Sequence, residues 1–176
     1  MEFSMRSLAL LFACFFSLSA CTSKPDGVEP VVDFELQQYL GSWYEIVRLP
    51  HSFEEGLSHV TASYSLREDG GVTVVNRGFN RDSGKWEEAE GKAYFVEDAD
   101  TGFLKVSFFG PFYASYIIVE LDEDYRYAMV TGPDRDYLWV LSRTPELDEA
   151  TLKELVGKAD SLGFDTSKLI YVEQDQ

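Results

Sequence analysis

Positive charge is scarce in this chain of 176 residues: 15 Lys and Arg stand against 31 Asp and Glu, a formal net charge of −16. No Lys/Arg cluster breaks that balance, so the basic stripe needed to displace counterions from phosphates is missing and nucleic acid is excluded as a partner. Cysteine is rarer still. Only Cys14 and Cys21 occur, both near the N-terminus, too few for a disulfide framework. Long hydrophobic runs are absent as well. The longest, from Ser7 to Leu18, would span roughly 18 Å as a helix, well short of a bilayer core of about 30 Å. It is too short for a transmembrane anchor and fits a cleavable secretory signal, which initiation at Met5 would make cleaner than initiation at Met1. What the chain has in quantity is aromatic side chains, 15% of residues, enough for a real core in one ordinary domain.

The apolar run ends in Leu18-Ser19-Ala20-Cys21, which resembles the lipobox of bacterial lipoproteins. That resemblance implies a signal peptide over residues 1–20, cleavage before Cys21, and lipid attached to the Cys21 thiol and the new amine. Cys14 would leave with the signal. Thr22, where inner-membrane retention shows Asp, implies sorting to the outer membrane. Residues 21–33, with Pro25, Gly27 and Pro30, read as a lipidated tether ahead of a domain over 34–176.

The domain reads as eight short strands, with turn signals at Glu68-Asp69-Gly70-Gly71, Asp82-Ser83-Gly84 and Gly110-Pro111. Spans of Trp43 to Arg48, Val60 to Leu66, Val72 to Phe79, Trp86 to Val96, Phe103 to Phe109, Tyr113 to Leu121, Tyr127 to Thr131 and Tyr137 to Ser142 fit an antiparallel meander, a sandwich or a closed barrel. Gly91 is expected to mark a bulge or bend. Asp148 should cap one helix whose Leu152, Leu155, Val156 and Ala159 share a face, with Gly163 closing it. Leu169 to Val172 should add a short edge strand. Apolar faces such as Leu104, Val106 and Phe108 could fill a core or line a cavity, and alternation alone does not choose.

Gly41-Ser42-Trp43 opens the first strand and Arg143 follows the last, a pair that resembles the lipocalin family. The segments Gly41 to Arg48, Lys105 to Tyr113 and Gly132 to Pro145 are similar to the bacterial outer-membrane lipocalins, with apolipoprotein D more distant. The resemblance covers Phe34 to Glu173. It implies an all-β fold: an eight-stranded antiparallel up-and-down barrel with one helix packed outside. Trp43 would plug its closed end, Arg143 would stack on the indole, and Gly41 would let the backbone pass close by. One motif departs. The family's Thr-Asp-Tyr appears only as Leu121-Asp122-Glu123-Asp124-Tyr125, which puts that turn's geometry in question.

The resemblance also sets strand parity: Val72, Val74, Asn76, Leu104, Val106, Phe108, Tyr116, Ile118, Val130 and Trp139 would face the interior as ligand-binding residues, with Trp139 near mid-height. The implied ligand is a fatty acid such as palmitate or a lysophospholipid, stored or transported for membrane maintenance, with no cofactor. A homodimer is compatible with the sequence, though no motif demands one. A filled barrel serving a structural or partner-binding role is the main rival. A lipid-modifying enzyme is weaker: no Gly-X-Ser-X-Gly occurs, and no catalytic residue stands out. His51 and His59, the only histidines, are expected to be solvated loop residues rather than metal ligands.

Overall fold

Tight turns set the architecture. After Leu66 the chain reverses through Gly70, whose φ of +81° lies in the left-handed region. Asp69 gathers the turn: it accepts hydrogen bonds from the Arg67 guanidinium, the Gly71 amide and the Tyr94 hydroxyl. Those bonds, Arg67 first, hold its carboxyl well below the usual carboxylate range. The computed structural model describes residues 22–174. Its main strands are β1 (Gly41–Arg48), β2 (Leu57–Leu66), β3 (Val72–Asn80), β4 (Lys85–Phe95), β5 (Phe103–Ser107), β6 (Ala114–Leu121), β7 (Tyr127–Thr131) and β8 (Leu138–Ser142).

Each strand pairs antiparallel with its sequence neighbour, and β1 pairs with both β2 and β8, which closes the barrel. A short helix α1 (Leu36–Tyr39) crosses the end at which β1 begins. Helix α2 (Glu149–Ser161) follows β8, capped by Asp148, whose carboxylate accepts from the Thr151 amide at 3.0 Å. A two-residue strand β9 (Ile170–Tyr171) adds to the far end of β1.

Two apolar clusters result. Outside the wall, Leu155 and Ala159 of α2 pack on Ile46, Val47, Ile117, Val119, Met129, Leu138 and Val140. Inside, Trp43, Val72, Val74, Leu104, Ile118, Val130 and Leu141 form the interior. Gly91 makes no bulge. Its register with Val74 is regular, and a Cβ there would fall 2.8 Å from the Phe108 ring, so the glycine makes room for an interior aromatic.

The segment read as a tether lies along the outer wall instead. Ser115 Oγ on β6 donates to the Ser23 carbonyl at 2.6 Å, and Arg135 Nη2 donates to that of Asp26 at 2.5 Å. Val28 is wholly buried in the cluster beneath α2. The Val31 amide then donates to the Ile118 carbonyl at 2.9 Å, and the Phe34 amide to Asp100 at 2.8 Å. Polar composition around Pro25 and Gly27 suggested a free linker. Burial of one valine and a ladder of backbone bonds make residues 22–34 part of the domain.

Candidate functional site

At the end crossed by α1, Trp43 is wholly buried and donates from Nε1 to the Tyr39 carbonyl at 2.8 Å. The Arg143 guanidinium lies 3.9 Å from the indole centroid. Its three nitrogens reach the carbonyls of Ser42, Gln38 and Tyr125 at 3.0, 2.6 and 3.3 Å. One cation thus ties β1, α1 and the β6–β7 turn across the closed end. Gly41 adopts φ +93°, and a Cβ at this position would lie 3.5 Å from Arg143 Nη1. The degenerate β6–β7 turn is well held. Asp122 accepts from the amides of Asp124 and Arg126 and takes two bonds from the Arg126 guanidinium, while Tyr125 adopts φ +57° and is buried.

Above that floor the interior is apolar. Val72, Val74, Leu104, Val106 and Tyr116 surround a residual cavity of about 10 Å³, together with Phe34, Leu36, Tyr39, Tyr64 and Ala93. Ile118 and Val130 are fully buried in the same cluster, though not on that cavity. Phe108 and Trp139 pack on it from higher up. The Asn76 carbonyl is buried without a partner. Three phenols meet in the cavity: Tyr116 Oη lies 2.7 Å from both Tyr39 Oη and Tyr64 Oη. Burial pushes all three hydroxyls above their ordinary range. Three O–H protons share two bonds, so one hydroxyl proton is not used within the triad.

The opposite end is a mouth whose chemistry the sequence reading missed. A bulge in β1 shifts register between Glu45 and Val47. Ile46 and Val47 consequently both join the outer cluster, while Glu45 and Arg48 are both buried, with Arg48 Nη1 2.7 Å from Glu45 Oε1. Arg48 Nη2 also donates to the carbonyls of Glu54 and Leu57, at 2.8 and 3.3 Å. Leu57 opens β2, and Glu54 belongs to the β1–β2 loop, which folds a 3-10 turn (Ser52–Glu54) over the mouth.

Glu54 is itself buried. Its carboxylate lies 2.8 Å from His51 Nε2 and accepts from Trp139 Nε1 at 3.2 Å. Burial pushes Glu45 up, aided by the Glu54 charge. Burial pushes Glu54 up too, but His51, Trp139 and Arg48 outweigh it and hold that carboxyl below its ordinary value.

Two expectations therefore change. His51 is not solvated: its side chain is 4% exposed, stacked 3.9 Å from the Phe53 ring. Trp139 sits under the loop at the mouth, not at mid-height, because its strand partner is Arg48. No cluster of three metal-binding side chains occurs among the described residues. Cys21 lies outside them.

A family model described as a lipocalin-like domain matches residues 32–174. This chain is a lipocalin. It is 54% identical to the outer membrane lipoprotein Blc of Vibrio cholerae over 171 residues, covering 97% of this chain and 99% of that one. The Escherichia coli K12 protein of the same name is 52% identical over 174 residues, covering 97% and 98%. Mouse apolipoprotein D is 33% identical over 168 residues, 90% of this chain and 85% of its own. Among solved structures, insecticyanin from the tobacco hornworm Manduca sexta superposes with a TM-score of 0.70 at 23% identity, over 88% of each chain. That last likeness concerns the fold of this lipocalin alone.

Proposed function

We propose that this lipocalin is a binding protein that holds a single-chain amphiphile, a fatty acid or lysophospholipid, tail down in the barrel. It would be held at the outer membrane by lipid on Cys21, facing the periplasm, and would store or carry lipid for membrane maintenance. The namesake relatives in V. cholerae and E. coli supply the address. The observation that carries the ligand reading is the division of the interior: valine, leucine and isoleucine below, an ionic cluster with Arg48 at the mouth. A methylene moved from water to such a lining contributes about 0.8 kcal/mol, and the polar head would remain beside the cluster.

A filled barrel with a structural or partner-binding role stands as a second reading, because the enclosed cavity of about 10 Å³ holds roughly one water. An acyl chain therefore has to displace interior side chains as it enters, Phe108 and Tyr116 among them. Delipidated protein titrated with a fluorescent fatty acid and with a lysophospholipid separates the two. Saturable binding with quenching of tryptophan emission is expected. Absence of both would leave the filled barrel.

A further inference from the structure

The strap formed by residues 22–34 has a direction. It starts beside Ser115, one residue into β6 at the mouth, where Ser23 also faces the Pro133 carbonyl in the β7–β8 loop at 3.4 Å. It ends at Asp100, in the β4–β5 turn of the closed end. Two peptide units separate Ser23 from Cys21, a reach of about 7 Å at most. Bonds from Ser115 and Arg135 and the burial of Val28 leave little slack beyond them.

On the same rim, the β5–β6 loop presents Phe109 and Phe112 at 80% and 77% exposure, with Phe53 of the β1–β2 loop at 59%. Phe112 is three residues from Ser115, within about 11 Å along the chain. Exposed phenylalanines clustered beside one opening mark an interaction surface. The net charge of −16 disfavours an anionic face as the partner.

We infer that the mouth rests directly on a phospholipid bilayer, with Phe109 and Phe112 seated in its interface, so that ligand passes between barrel and leaflet without crossing bulk water. This rests on the proposed lipid attachment at Cys21, and on the strap to place that attachment at the mouth.

The test uses the full lipidated chain in phosphatidylcholine vesicles, some of them carrying phosphatidylcholine brominated on its acyl chains. With Cys21 acylated, an introduced cysteine is the one free thiol, so Phe112→Cys at the rim and Glu68→Cys at the closed end can each take a single fluorophore. Bromolipid should quench the Phe112→Cys label several-fold more than the Glu68→Cys label, and aqueous iodide should do the reverse. A rim label open to iodide on chain that floats with the vesicles would overturn the orientation while leaving lipid attachment intact. A rim label shielded from both quenchers would assign the surface to a second copy and overturn it too. Chain that fails to float would remove the attachment and the inference together.

Discussion

Arg48 is the side chain on which the mouth depends. It compensates two buried carboxylates and binds the carbonyls of Glu54 in the covering loop and of Leu57 at the start of β2, so Arg48→Met should leave Glu45 and Glu54 without the guanidinium charge. A loss of about 3–5 kcal/mol is expected in urea unfolding, as for other buried pairs broken on one side. Glu45 gives a pH signature. Its folded-state carboxyl titrates above the unfolded one, so its ionisation opposes folding as pH rises above about 4.5. The stability of the native chain relative to Glu45→Gln should therefore fall with rising pH in that range. Trp139→Ala should weaken acyl-chain binding more than about tenfold, read by ligand titration, since it removes a wall of the mouth and a bond to Glu54 together. The facing of Trp139 was legible by counting back in twos from Arg143, whereas that of Val72, Val74 and Leu104 came from the family resemblance. The ionic cluster was not legible. Strict alternation from Trp43 turns Arg48 outward, and only the extra residue in β1 brings it back.

Among the elements, the hairpins and α2 could be read ahead of the structure because their signals are local: glycine-bearing turns, an aspartate cap, an apolar stripe. The strap could not, because a short Pro- and Gly-containing polar stretch looks the same whether it floats or docks. Its anchor is one valine. Val28→Ala removes two methyl groups from a fully buried site, and a loss of about 2 kcal/mol is expected in chemical denaturation. At the closed end, Trp43→Ala should cost about 3–5 kcal/mol while leaving ligand affinity of the remaining folded protein little changed, because the indole lies beneath the cavity rather than on it. The β6–β7 turn shows that a segment departing from the family motif is still firmly held, because Asp122 supplies the bonds.

For the molecule as a whole, the three interior phenols set an upper pH limit. Their folded-state pKa values lie above the ordinary 10, so the stability they contribute is intact below about pH 10 and is lost as pH rises beyond it. Absorbance of tyrosinate should reveal at least these three of the ten tyrosines ionising only with unfolding. Closure of the barrel also bears on its folding rate. Every wall pairing from β2 to β8 joins neighbours in sequence, whereas the seam between β1 and β8 brings Tyr44 to Ser142. Loop-closure entropy makes that long-range contact slow to form and places it late, after the meander has assembled. Substitutions along the seam should then accelerate unfolding and leave the refolding rate almost untouched, so the barrel's lifetime is governed by one zipper rather than by all eight strands.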